Sequence, residues 1–103
     1  MSDFVKVAST NDIAPGTGML VELNGQRIAL FNANGKFHAI GDTCTHSGGP
    51  LSEGDLEEDI VTCPWHGAQF DVKTGEVTAP PAQEPVPTYR VKVEGSDILL
   101  ERP

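Results

Sequence analysis

At 103 residues the chain is long enough for one domain with a modest core, and 38% hydrophobic content with 11 Gly and 8 Pro predicts a compact, turn-rich fold rather than a disordered one. Fifteen acidic against seven basic side chains give a formal charge of −8, which argues against nucleic acid as a partner. The opening "MSDFVKVAST" lacks the basic and apolar regions of a signal peptide, and no apolar run is long enough to cross a bilayer. The expectation is a cytoplasmic protein with no membrane contact, whose thiols stay reduced and available to a metal.

Strand signals dominate in chain order. "DFVKVA" alternates, and Asn11-Asp12-Ile13-Ala14 is at most a short turn before Pro15. "MLVELNGQRIALF" is a pair of alternating runs around Asn24-Gly25, and "IALFNANGKFHAI" turns again at Asn34-Gly35; Asn-Gly is the strongest short hairpin signal. The segment with both cysteines follows, containing the short runs "DIVTC" and "AQFDV". "APPAQEPVP" is too rich in proline for a central strand and reads as an extended connector. "YRVKVEGSDILLE" closes the chain with a hairpin turning at Gly95-Ser96-Asp97. No helical periodicity persists beyond two turns. The prediction is an antiparallel all-β domain, with the cysteine segment inserted between framing hairpins.

Each cysteine is followed closely by a histidine, Cys44 by His46 in "CTHSGGP" and Cys63 by His66 in "CPWHGAQF". Structural zinc fingers generally pair like with like, two cysteines and then two histidines. Mixed arms make sense if two metal atoms sit side by side and each loop gives one ligand to each. One iron then takes both thiolates and the other both imidazoles. Two ferric ions, two sulfides and two thiolates sum to zero, so this core accepts an electron more readily than its all-cysteine equivalent. Gly48, Gly49 and Gly67 let the backbone pass close to the sulfides and aim N–H groups at them. A structural zinc site with the same four ligands is the competing reading, and a Cys44–Cys63 disulfide would leave the histidines unexplained.

"CTH" followed by "CPWHGAQFD" resembles the Rieske motif pair, and "AIGDTCTHSGGPLSEG" and "FDVKTGEV" are similar to soluble Rieske-type ferredoxins. The resemblance covers essentially the whole chain. It implies a single domain, 1–103, with an antiparallel β-sandwich base and a cluster-binding subdomain, 40–78. It also implies one [2Fe–2S] cluster on Cys44, His46, Cys63 and His66, covered by a third loop carrying Pro80 and Pro81. The implied function is one-electron transfer, without catalysis by the chain itself, from a flavin-dependent NAD(P)H reductase to a terminal oxygenase that hydroxylates aromatic rings. The expected form is a monomer. A small subunit of another redox enzyme, such as a nitrite reductase, is the alternative within the family.

The chain departs from the respiratory branch of that family. Gly49 and Trp65 stand where that branch has a disulfide, and Ala68 and Phe70 where it has a serine and a tyrosine hydroxyl. Missing hydrogen bonds to sulfur lower the potential, and Trp65 is expected to shield the cluster from solvent. Residues 37–72 contain seven carboxylates and no Lys or Arg. Within them Glu57, Glu58 and Asp59 are candidates for a docking surface, since single-signed patches steer association. His38 is the remaining histidine and reads as an ordinary strand residue. Neither a second metal site nor a GxGxxG dinucleotide motif is present in the sequence.

Overall fold

The computed structural model describes residues 4–44, 48–65, 67–79 and 84–101. β1 (Phe4–Ser9) leads through a 3-10 turn (Thr10–Asp12) into a meander of β2 (Thr17–Leu23), β3 (Gln26–Ala33) and β4 (Lys36–Gly41). Both connections are two-residue Asn-Gly turns with positive φ throughout, 52° and 78° at Asn24-Gly25 and 57° and 93° at Asn34-Gly35. That geometry matches the right-handed strand twist and fixes the register, Leu23 opposite Gln26 and Ala33 opposite Lys36. A second 3-10 turn (Leu51–Glu53) precedes four short strands, β5 (Asp55–Glu57), β6 (Ile60–Thr62), β7 (Gln69–Asp71) and β8 (Val77–Ala79). β9 (Thr88–Tyr89), β10 (Val91–Glu94) and β11 (Asp97–Glu101) complete the chain.

These strands make three antiparallel sheets, in the orders β1-β11-β10, β2-β3-β4-β9 and β5-β6-β7-β8. The middle sheet is a shared wall. Ile28 and Leu30 of β3 and Ala39 of β4 pack with Val21, Ile98 and Leu100 against the terminal sheet. The alternate residues Ala29, Phe31 and Ile40 pack on the opposite face with Leu51, Val61, Phe70 and both cysteines. Residue alternation sends successive side chains to opposite faces, so a strand covered on both sides reads as the unbroken apolar run "IALF". All four of those side chains are fully buried; each large one contributes about 1.5–3 kcal/mol relative to exposure.

The third sheet presents one row to this second core. Leu56, Val61, Phe70 and Val77 are successive cross-strand partners and all pack there. The described part of the proline-rich segment is pinned rather than loose. Val86 is buried in the same core, its N–H donates to the Gly75 carbonyl at 2.9 Å, and the Pro87 carbonyl accepts from Gly41 N–H at 2.9 Å. Gly75 has φ of 77° and lies so close to the Val86 carbonyl that a Cβ there would collide with it. The sequence reading of 79–87 as a plain connector is thus replaced, over its described half, by a segment that plugs the core.

Candidate metal centre

Cys44 and Cys63 end two strand ladders and begin two loops of the same build. In the first, the chain leaves β4 and returns to the 3-10 turn through successive rungs. Leu51 N–H donates to the Asp42 carbonyl at 2.7 Å, Thr43 bridges Pro50, and Cys44 N–H donates to the Gly49 carbonyl at 2.9 Å. In the second, β6 and β7 pair Val61 with Phe70 and Thr62 with Gln69, and Cys63 N–H donates to the Ala68 carbonyl at 2.7 Å. Inside each loop a glycine N–H returns to the cysteine carbonyl, Gly48 at 2.8 Å and Gly67 at 3.2 Å. Those two glycines have φ of 77° and 80°, a region that costs any residue with a Cβ. Each loop is therefore closed by its own backbone and holds its cysteine at a fixed root.

The loops also touch. A Cβ on Gly49 would stand 2.8 Å from Cys63 Sγ and 3.1 Å from the Trp65 ring, so only glycine lets the first loop lie this close to the second thiol. Both cysteines are reduced thiols, 2% exposed, in the core shared with Ala68 and Phe70. Two buried sulfur donors on facing glycine-lined loops suit a soft metal centre, and the residues present fit an iron–sulfur group. His46 and His66, the other two expected ligands, lie outside the described residues, as do Pro80 and Pro81.

Three further placements differ from the sequence expectation or were missed by it. Trp65 is 58% exposed, with its ring lying against Gly49. Glu57 pairs with Ile60, which puts Glu58 and Asp59 in the β5–β6 turn, at the end of the hairpin away from Cys63. With about 3.3 Å per strand residue, that turn lies roughly 10 Å from the loop root. Asp59 is moreover 3.2 Å from Lys73 Nζ, and the hydrogen bond and charge of its carboxylate hold the Lys73 ammonium above its ordinary pKa. Asp42 went unnoticed within the acidic run. It is 2% exposed, accepts from Ser52 N–H at 2.8 Å through Oδ1, and has Arg27 Nε 3.8 Å from Oδ2. An acid ending an apolar strand two residues before a ligand was the available signal.

Fold and loops together define a small β-protein with two buried thiols on facing loops, an arrangement that fits the class of cluster-bearing electron carriers. Residues 3–90 match the Rieske [2Fe-2S] domain, and the chain belongs to that family. It is 40% identical over 99 residues to the biphenyl dioxygenase ferredoxin subunit of Pseudomonas sp. (strain KKS102), covering 95% of this chain and 91% of that protein. The ferredoxin of carbazole 1,9a-dioxygenase from Nocardioides aromaticivorans IC177 superposes with a TM-score of 0.94 at 31% identity, covering 99% of this chain and 100% of that one. A ferredoxin solved in complex with the oxygenase of carbazole 1,9a-dioxygenase is 34% identical with a TM-score of 0.89, covering 95% of this chain and 92% of that one. The chain is a ferredoxin that carries one Rieske [2Fe–2S] cluster and serves electron transfer rather than catalysis. Among the described residues no helix is long and apolar enough to cross a membrane.

Proposed function

We propose that the chain takes electrons from a flavin-dependent NAD(P)H reductase and delivers them to the terminal oxygenase of an aromatic-ring-hydroxylating system. The observation that carries the reading is the pair of loops rooted at buried Cys44 and Cys63 and packed through Gly49, in a chain similar along 95% of its length to a biphenyl dioxygenase ferredoxin. When bound, the cluster takes up one electron and gives it back. Cys44 and Cys63 would hold one iron and His46 and His66 the other, within a cluster-binding subdomain of residues 40–78 and with a cover from Pro80 and Pro81. The twin Gly48 and Gly67 turns fix both cysteine roots, so little of the site rearranges between oxidation states. The surrounding core excludes water from the thiolate side. The carrier acts as a monomer in the cytoplasm, and the acidic run steers encounter from a distance rather than by contact.

The test is reconstitution with NADH, a biphenyl-system flavin reductase, the biphenyl terminal oxygenase and biphenyl. Oxygenated product should form only when the chain is added. Absence of product, with the reductase and oxygenase active beside their own ferredoxin, would remove this reading.

A further inference from the structure

The two Asn-Gly turns share one backbone geometry, and Asn24, Gly25, Asn34 and Gly35 are all exposed. They share a reactive arrangement too. In each, the glycine amide nitrogen can reach Cγ of the asparagine before it by closing a five-membered ring, and no Cβ on the glycine stands in the way. The hydrogen bonding of that nitrogen differs. Gly35 N–H donates to Asn32 Oδ1 at 2.7 Å. Gly25 N–H has no acceptor among the described residues.

The acceptor in the second turn is itself fixed. Asn32 is 4% exposed, stands opposite Phe37 in the hairpin, and donates from Nδ2 to the Ile13 carbonyl at 2.9 Å. Its side chain is thus clamped at both ends. Releasing Gly35 would leave a buried oxygen without a donor, which costs more than the loss of an exposed hydrogen bond. The residue in the matching place before the first turn is Glu22, opposite Arg27. Glu22 is exposed and supplies no such clamp.

From these observations we infer that Asn24 is a site of deamidation in the folded protein, and that the Asn32 clamp protects Asn34 from the same reaction. Hydroxide takes the proton of the glycine nitrogen, which then bonds to Cγ. The side-chain Nδ2 takes a proton from water and leaves as ammonia, and a succinimide closes. Water opens that ring at either carbonyl, to aspartate or isoaspartate, and nothing is oxidised or reduced. At Gly35 the bond to Asn32 must break before the nitrogen can lose its proton or turn towards Cγ. Isoaspartate at position 24 would add a methylene to the main chain of a two-residue turn that sets Leu23 opposite Gln26. Gln26 accepts from the Tyr89 hydroxyl at 2.8 Å, so the conversion acts on the tie between this hairpin and β9.

The test keeps oxidised holoprotein in mildly alkaline buffer and follows both sites by timed tryptic digestion and mass spectrometry. Cleavage after Lys6, Arg27 and Lys36 places Asn24 and Asn34 in different peptides. The same sites timed in urea give the rate that each sequence has without the fold. Relative to its own unfolded rate, Asn34 should convert roughly 10-fold more slowly than Asn24. Asn32→Ala, which releases Gly35 N–H, should bring Asn34 to within about 3-fold of Asn24, with the visible spectrum of the wild type. If that variant does not fold, the wild-type comparison decides alone. Equal protection of the two sites, faster conversion at Asn34, or no conversion at Asn24 while the unfolded chain converts overturns the inference. A folded Asn32→Ala protein that still spares Asn34 overturns it as well.

Discussion

Ala68 and Phe70 have no exposed surface and fill the core that also holds both cysteine side chains. Neither side chain can donate a hydrogen bond, and donors to cluster sulfur stabilise the more negative, reduced form. Phe70→Tyr with Ala68→Ser should therefore raise the midpoint potential, on a wild-type value in the lower part of the roughly −150 to +300 mV that Rieske centres span. Film voltammetry reads both, and an unchanged or lower potential in the double variant would refute this account of tuning. His38 carries a different consequence. Its strand alternation matches Ile40, so it faces the third sheet, and its Nε2 is buried with no hydrogen-bond partner among the described residues. Burial pushes its pKa below 6.5; Asp59 and Asp71 oppose the shift, and Lys73 and Lys36 add to it. The neutral ring is the folded form, so unfolding takes up a proton in acid. That stability is complete above about pH 6.5 and is lost as pH falls through the lower folded value. In urea titrations at about pH 7.5 and about pH 5.5, His38→Gln should lose less stability on acidification than the wild type, with spectrum and potential unchanged.

The elements divide by how openly the sequence declares them. Both Asn-Gly hairpins and the terminal hairpin were legible, because turn residues and alternation agree in "VELNGQRIALF" and "VKVEGSDILL". Strands β5, β8 and β9 were not: two or three residues are too few to show a period, and their positions depend on neighbours distant in sequence. Of the site, the two cysteines on glycine-flanked loops were visible from spacing, but the Gly48 and Gly67 N–H groups, expected to aim at sulfide, donate to the Cys44 and Cys63 carbonyls instead. The roles of Asp42 and of Val86 were hidden, because each acts through a contact that only the fold creates, with Ser52 and with the core. Within the acidic run, "DLEED" makes a hairpin whose turn holds Glu58 at φ 55°. A left-handed residue with a Cβ costs about 1–2 kcal/mol, and glycine's extra unfolded-state freedom costs back about 0.5–1. Glu58→Gly should thus be neutral or stabilising by up to about 1.5 kcal/mol, and Glu58→Val clearly destabilising. Thermal melts of the two variants compare them directly.

For the whole molecule, charge is segregated. The terminal sheet and hairpins balance their ions in pairs such as Lys6–Asp97 and Lys92–Glu94, at 3.1 and 3.0 Å, while residues 37–72 have no Lys or Arg of their own. Asp59 has borrowed Lys73 from just beyond, and among the described residues Glu53, Asp55, Glu57, Glu58 and Asp71 make no ion pair. Over a screening length of about 8 Å at physiological salt, they sense a partner before contact. Glu57→Gln with Glu58→Gln should slow association with the oxygenase and flatten its salt dependence, with dissociation little changed; stopped-flow rates across a salt series distinguish this from a solvated turn of no consequence.

The proposed centre takes two thiolates and two imidazoles, from Cys44, His46, Cys63 and His66. With nitrogen-15 confined to the three histidines, electron–nuclear double resonance on the reduced protein counts the imidazoles on the paramagnetic centre. Two nitrogen couplings, kept in His38→Gln and lost singly in His46→Ala or His66→Ala variants that retain iron, are the predicted result. A reduced protein with no nitrogen coupling, or with a coupling that disappears in His38→Gln, would contradict it.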